Sequence, residues 1–139
     1  MQALITSVLA VSIGASSVHA GEPMPELLAR KLLSLSGASA RDCGFAALPD
    51  NIEAVVACAK AAASSGQPYR VAFHLAGADA LIWQGAARGE RGDLWVVFYD
   101  AESADGTAVQ PTLSVLTCRE ITFAKKGDVV DCQPVTGER

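Results

Sequence analysis

Apolar residues recur at helical spacing in two stretches of the first half of the chain. The first stretch, 26–35, follows Pro25 and precedes Gly37, residue types that suit the start and the end of a helix. This spacing predicts two amphipathic helices, which a connection rich in Gly, Ala and Ser joins at residues 36–48. Asp50 can cap the second helix and Gly66 ends it, and its apolar face comprises Ile52, Val55, Val56, Ala59 and Ala62.

From residue 69 onwards the apolar period changes to two, which is the repeat of a half-buried β-strand. Short polar turns separate the apolar runs. The strands predicted from this pattern cover 69–75, 80–86, 94–100, 112–123 and 129–132. Helices followed by a strand meander predict an α+β fold, in which two N-terminal helices pack on one face of a four- to five-stranded antiparallel sheet.

The alternation divides the predicted sheet into two faces of different composition. In the simplest register Leu75 lies opposite Ala80, and Trp83 lies opposite Val97. One face is almost entirely apolar and is expected to receive the helices; it comprises Tyr69, Val71, Phe73, Leu75, Ile82, Leu94, Val96 and Phe98. The other face mixes aromatic side chains with Arg and His; it comprises Arg70, Ala72, His74, Leu81, Trp83, Trp95, Val97 and Tyr99.

The second face is the candidate binding surface that the sequence predicts. Aromatic side chains beside a cation match the composition enriched where proteins bind one another. The alternative is that the N-terminal leader, the long loop or the last strand covers this face, because Trp and Tyr also fill small cores. The candidate binding residues are Trp83, Trp95, Tyr99, His74 and Arg70.

The chain has four cysteines, an even number that favours two disulfides in an exported protein. A zinc site is the alternative, but no C-x-x-C pair is present and His74 is the single histidine after residue 20, so no metal site is predicted. Cys58 lies at the edge of the apolar face of the second helix, and Cys118 and Cys132 are placed symmetrically about a hairpin turn. Of the three possible pairings we prefer Cys43–Cys58 with Cys118–Cys132.

The first twenty residues contain no Asp, Glu, Lys or Arg and end in the small-x-small sequence Val18-His19-Ala20. Their apolar stretch is too short and too rich in Ser for a comfortable membrane span. These features predict a signal peptide that is cleaved after Ala20, although no basic residue precedes the apolar run. An uncleaved anchor is the alternative. The expected product is one soluble domain, residues 21–139, located in the periplasm or the medium and without stable membrane insertion.

Composition and charge disfavour several classes of function. Half of the residues are apolar and 19% are charged, as in globular chains. A net charge of -4 disfavours nucleic acid as a partner, because nucleic acid attracts basic surfaces. No serine lies in a nucleophile motif, and an isolated histidine is more often a surface or packing residue than a general base. The sequence therefore favours a protein that is not an enzyme, with no catalytic residue and no cofactor assigned.

Several short segments stand out after residue 20. They are Arg41-Asp42-Cys43-Gly44, the helix around Cys58, Gln67-Pro68-Tyr69-Arg70-Val71, and Leu94-Trp95 with Tyr99-Asp100. Together they resemble small exported proteobacterial proteins of unassigned function. This resemblance covers most of the chain after residue 20 and implies no activity and no functional residue.

Export, the disulfides and the aromatic face suggest an exported protein that binds another envelope or secreted protein, as an inhibitor, immunity protein or accessory subunit. One alternative is a small-ligand carrier with a pocket between the helices and the sheet. Another is an exported hydrolase that uses His74 with a nearby acid. The sequence leaves the oligomeric state open.

Overall fold

Two helices and six strands follow one another in the computed structural model, which describes residues 23–48, 52–75, 81–102, 108–124 and 129–136. The signal peptide predicted over residues 1–20 lies outside the described residues. The elements are α1 (Glu26–Ser36), β1 (Arg41–Ala47), α2 (Ile52–Ser64), β2 (Tyr69–His74), β3 (Ile82–Arg88), β4 (Leu94–Glu102), β5 (Ala108–Phe123) and β6 (Val130–Pro134).

The strands form one mixed sheet in the order β1-β2-β3-β4-β5-β6. Strands β2 to β6 make the predicted antiparallel meander, but β1 pairs parallel to β2, and α2 connects the two. The prediction of four to five antiparallel strands is therefore wrong, and so is the placement of both helices before the sheet. The pattern missed β1 because its register shifts between Asp42 and Phe45, where Gly44 has a φ of 73°, and this shift interrupts the alternation.

The two helices pack on opposite faces of the sheet, so the prediction that both lie on one face is wrong. Leu28 and Leu32 of α1 pack against Ala72, Trp83 and Val97. The side chains of α2 pack on the other face, with Tyr69, Val71 and Phe73. Both faces of the central strands are apolar enough to need a cover, and each helix provides one.

The predicted assignment of the strand side chains to the two faces of the sheet is confirmed, whereas the predicted pairing register of the two hairpins is wrong. His74 lies opposite Trp83, and Trp83 lies opposite Tyr99. Both hairpins are therefore displaced by two residues from the simplest register. A shift of two preserves the face of every side chain, since successive side chains point to opposite faces.

The end of β5 and β6 fold over the face that carries α2. The side-chain amide of Gln84 donates to the carbonyl oxygen of Val130 at 3.0 Å and accepts from the Val130 N–H at 3.3 Å. The Phe123 ring lies 6.5 Å from the ring of Tyr69 and 6.3 Å from that of Phe73, measured between centroids. This hairpin and α2 therefore enclose one core between them, and the buried amide of Gln84 keeps both of its hydrogen-bonding groups satisfied.

Both predicted disulfides are confirmed: Cys43 is bonded to Cys58 and Cys118 to Cys132. The first bond ties β1 to α2, and the second ties β6 to β5, so each outer strand of the sheet is covalently held. All four cysteines are paired, which removes them as thiolate nucleophiles or zinc ligands. Paired cysteines are typical of proteins that fold in an oxidising compartment. Within the described part of the chain, no helix has the length and apolarity that crossing a membrane requires.

Candidate functional site

The aromatic face predicted as a binding surface lies beneath α1. Trp83 is 2% exposed and His74 is 3% exposed. Their rings stack with a centroid separation of 4.6 Å and an interplanar angle of 5°, and the ring of Phe45 meets Trp83 edge-on at 5.5 Å. Trp83 and His74 are therefore buried, which is the covered alternative. Helix α1 packs on Trp83 together with Met24 of the leader, and residues 103–107 of the long loop lie outside the described residues.

Trp95 and Tyr99 lie at the margin of α1 and are half-buried. Both join the cluster that α1 covers, together with Leu35. A Cβ atom built at Gly89 would stand 3.0 Å from the Trp95 ring, so this ring lies against the backbone of the β3–β4 turn. Each of these two aromatic side chains is therefore partly covered, and neither is fully exposed to solvent.

Arg70 holds the carboxyl end of α1. Its Nη1 donates to the Ser36 hydroxyl at 3.5 Å and to the Gly37 carbonyl at 3.4 Å, and its Nη2 lies 3.2 Å from Oδ2 of Asp42. Arg88, on the opposite face, donates to the Ala63 carbonyl at the end of α2 at 3.4 Å. Each arginine thus meets the negative end of one helix dipole, which is a structural role.

A shallow groove of about 220 Å³ runs between α1 and the β1–β2 edge. Its walls are mainly apolar, from Met24, Leu33 and Val71, and the Arg70–Asp42 ion pair lies within it. The volume lies below the roughly 300–1,000 Å³ of sites for drug-sized ligands. The groove therefore gives little support to the small-ligand carrier.

Within the described ranges of the chain, the sheet has three edges without a neighbouring strand, and two of them are protected against pairing with another strand. On β1, the Gly44 N–H donates to the Asp42 carboxylate at 2.9 Å within the bulge, and Arg41 adds a second charge. Strand β6 has five residues, carries the exposed Asp131 and ends at Pro134. Bulges, charges, proline and short length are the usual means of blocking edge pairing.

The third edge is the first part of β5, residues 108–117, which we call the open half of β5. Strand β6 pairs with β5 only from Cys118 to Phe123, and Val135 adds one hydrogen bond, from its N–H to the Thr117 carbonyl at 3.2 Å. Apart from this bond to Thr117, the open half pairs only with β4 among the described residues.

The Thr117 hydrogen bond fixes which backbone groups of the open half point outward. Its carbonyl faces Val135 and not β4, and the register with β4 is regular from 112 to 118. Because the direction alternates along a strand, the N–H and C=O of Leu113 and Val115 also point away from β4. These two residues offer a strand two donors and two acceptors. Pro111 lies where the register shifts, and it has no N–H to offer.

The side chains around the open half are apolar and exposed. Residues 108–118 contain no charged side chain. Val115 is 42% exposed on the α1 side of the sheet, and Leu116 and Phe98 are 39% and 38% exposed on the α2 side. Helix α2 packs mainly on β1 and β2, and neither Leu116 nor Phe98 belongs to the core that it covers. An uncharged strand edge with apolar side chains on both faces is a surface suited to another strand.

The hydrophobic pattern of the sequence did not indicate this site, because alternation shows which face of the sheet a side chain lies on but not which strands form its edges. The alternation placed Phe98 on the face that was expected to receive both helices. That face carries α2 alone, and Phe98 is 38% exposed and is not part of the core on this side of the sheet. The available signal was the uncharged run of 108–118, in a chain whose other strands each contain at least one charged side chain. The predicted residues Trp83, His74, Trp95, Tyr99 and Arg70 all lie on the α1 side of the sheet.

The described residues offer no constellation for metal chemistry: among them, no three His, Cys, Asp or Glu side chains lie close enough together to hold a metal ion. Comparison with known proteins found no matching family model, no matching curated protein and no matching solved structure.

Proposed function

We propose that this protein is an exported binding protein, and that it takes an extended segment of another envelope or secreted protein as an added strand along the open half of β5. The observation that carries the proposal is the coincidence of outward backbone groups with uncharged, exposed side chains on one strand edge. Inhibitors, immunity proteins and accessory subunits are the classes of exported protein that this mode of binding would suit.

The backbone of the open half supplies affinity in this proposal. The outward N–H and C=O groups of Leu113 and Val115 would form the ladder with the partner. Main-chain hydrogen bonds of this kind give strand addition its strength, and the side chains on alternate positions give its specificity. Val115 on one side, and Leu116 with Phe98 on the other, would bury apolar side chains of the partner.

Substitutions at Val115 separate the backbone contribution from the side-chain contribution. Val115→Pro removes the outward N–H and leaves the ladder with β4 intact, because that N–H points away from β4. Val115→Thr keeps the N–H and the β-branched shape, so it is the matched control. Far-UV circular dichroism and the mass of the doubly disulfide-bonded chain verify that each variant folds.

The experiment is affinity capture from envelope extract, followed by hydrogen exchange on the purified complex. We expect wild type and Val115→Thr to retain the same partner and Val115→Pro to lose it. In the complex, exchange of the Leu113 and Val115 amides should slow. A partner that is retained equally by all three proteins, with no slowing at those amides, would place the binding surface elsewhere.

A further inference from the structure

The groove between α1 and the β1–β2 edge contains an ion pair between apolar walls. Met24 and Leu33 contribute to the walls, and Asp42 and Arg70 meet inside the groove, with Oδ2 and Nη2 3.2 Å apart. Electrostatic contacts are stronger beside apolar groups than in open water, because the local dielectric constant is lower. A ligand with charged groups would therefore bind more strongly here than on the open surface.

Both members of this ion pair can form further hydrogen bonds. The contacts of Arg70 with Asp42, Ser36 and Gly37 measure 3.2, 3.5 and 3.4 Å, whereas close charge-assisted bonds measure about 2.7–2.9 Å. The Asp42 side chain is 56% exposed, and its Oδ1 accepts from the Gly44 N–H at 2.9 Å. An ionised carboxylate has about four acceptor positions. The guanidinium can therefore take an anionic group, and the carboxylate can take a cationic group.

The space beside the ion pair is open, and a second cation lies on the helix wall. Apart from its chain neighbours, no described heavy atom lies within 4 Å of a Cβ atom built at Gly44. Arg30 of α1 also lines the groove, and its contact with Glu26 is exposed and 3.8 Å long, so this contact contributes little. The groove therefore offers a carboxylate ligand two cations, next to the single anion Asp42.

The volume of the groove limits the size of its ligand. The volume of about 220 Å³ equals that of about seven water molecules at roughly 30 Å³ each. This volume is too small for a drug-sized ligand. It is close to the size of a small aliphatic amino acid such as valine or leucine.

We propose that this groove binds a free aliphatic α-amino acid of the size of valine or leucine. Its carboxylate accepts from the guanidinium of Arg70, its ammonium group donates to the carboxylate of Asp42, and its side chain lies against Met24 and Leu33. The two charged groups of an α-amino acid are attached to the same carbon atom, so they can meet the two adjacent charges of the ion pair together. Each end of a peptide lacks one of these charges, and the site therefore selects the free amino acid.

This site goes beyond the proposed function, because it lies apart from the open half of β5. Strands β3 and β4 separate β2, which carries Arg70, from β5. The groove lies between α1 and the opposite edge of the sheet. Binding of an amino acid in the groove and strand addition at β5 can therefore be tested separately.

Isothermal titration calorimetry with L-leucine and two derivatives tests the ligand chemistry. We expect saturable binding of L-leucine with a dissociation constant of about 1 mM or lower. N-acetyl-L-leucine lacks the ammonium group and L-leucinamide lacks the carboxylate, and each should bind at least about tenfold more weakly. Absence of saturable binding by both leucine and valine, or equal binding of leucine and either derivative, would overturn the proposal.

Variants of the groove test its location. Asp42→Asn keeps an oxygen that accepts from Gly44 but loses the charge, and it should weaken leucine binding at least about tenfold. Leu33→Gln should weaken binding at least about fivefold by removing an apolar contact. Leu27→Gln is the matched control, because Leu27 is 38% exposed on the same helix and does not line the groove. Far-UV circular dichroism verifies that each variant folds.

Equal leucine affinity of wild type and Asp42→Asn, or of Leu33→Gln and Leu27→Gln, would overturn the proposal. Amide spectra of ¹⁵N-labelled wild type provide an independent readout. Leucine should shift the Gly44 amide and leave the Val115 amide unchanged, and a shift at Val115 without one at Gly44 would also reject this site.

The amino-acid site and the proposed function fail in different ways. Wild type that captures its partner through β5 but does not bind leucine rejects the amino-acid site alone. The Val115→Pro variant should bind leucine as tightly as wild type, because Val115 lies outside the groove. Leucine binding by a protein whose partner leaves the Leu113 and Val115 amides unprotected supports the amino-acid site and rejects strand addition.

Discussion

Leu32 of α1 lies directly on the backbone of Gly85 in β3: a Cβ atom built at Gly85 would stand 2.8 Å from Cδ2 of Leu32. Ala72 and Ala87 lie in the same buried cluster. Small residues at the centre of this face let α1 approach the sheet closely enough to cover Trp83. The face that looks most like a binding surface in the sequence is therefore a helix-docking face in the fold.

Gly85→Ala should destabilise the fold by about 1–3 kcal/mol, because the added methyl group would stand 2.8 Å from Cδ2 and 3.0 Å from Cδ1 of the buried Leu32 side chain. Leu32→Ala alone should cost about 2–5 kcal/mol by leaving a cavity. Urea denaturation of the single and double variants measures the coupling. In the Leu32→Ala background the Gly85→Ala change should cost much less than it does alone, and additive effects would mean that the two residues are not in contact.

Fluorescence should distinguish the two tryptophans of the chain. With Trp95 replaced by Phe, the remaining Trp83 should emit at short wavelength and resist quenching by iodide, because it is 2% exposed. With Trp83 replaced by Phe, the half-buried Trp95 should emit further to the red and be quenched more readily. Equal quenching in the two variants would show that α1 does not cover Trp83 in solution.

Loss of the Arg70 side-chain hydrogen bonds at the carboxyl end of α1 should lower stability far more than loss of the Asp42 charge that pairs with Arg70. Arg70→Met keeps the aliphatic stem but loses the hydrogen bonds to Ser36 and Gly37, at a cost of about 1–3 kcal/mol. Asp42→Asn keeps the oxygen that accepts from Gly44 and should cost less than about 1 kcal/mol, since Asp42 is largely exposed. Chemical denaturation of both variants provides the comparison. Equal losses of stability in the two variants would show that Arg70 stabilises the fold through its ion pair with Asp42.

The elements that could be predicted from the sequence are those with an uninterrupted period. The alternation in β2, β3 and β4 placed Trp83 and His74 on one face, and the helical spacing placed Cys58 where Cys43 reaches it. Strand β1 could not be found in this way, because the bulge at Gly44 breaks its alternation and its partner is distant in the chain.

The candidate site could not be predicted from periodicity at all. Whether a face is exposed depends on which helix covers it, and the open half of β5 exists because the pairing with β6 begins only at Cys118. Both are matters of tertiary contact. The sequence contains one relevant signal, the absence of charged residues over 108–118. This signal indicates a binding site only when the structure shows that these residues form a strand edge.

Loss of the Cys43–Cys58 bond should cost about 3 kcal/mol on the chain-entropy model, given a sequence separation of 15 residues. The expected local effect is on β1, an outer strand that this bond ties to α2. In a Cys43→Ala/Cys58→Ala variant, the backbone amides of β1 should exchange much faster, whereas those of β3 at the centre of the sheet should change only with global stability. Uniform acceleration in both strands would show that β1 does not open separately.

Tyr69 should make the fold sensitive to alkaline pH. Its side chain is 1% exposed, and burial raises its pKa from the usual 10 to about 12, against the opposing effect of the Arg88 charge. The unfolded chain therefore releases this proton first. Stability should be unaffected by Tyr69 below pH 10 and should fall by about 1.4 kcal/mol per pH unit between pH 10 and pH 12.

Urea denaturation across this pH range, with absorbance detection of tyrosinate, measures the effect of Tyr69. A Tyr99→Phe background leaves Tyr69 as the single tyrosine, because the chain contains two. Tyr69→Phe in the same background is the control, and its stability should decline less steeply over this range, since no phenol remains to ionise. Parallel declines in the two proteins would assign the alkaline loss to groups other than Tyr69, and a tyrosinate titration near pH 10 in the folded chain would contradict its burial.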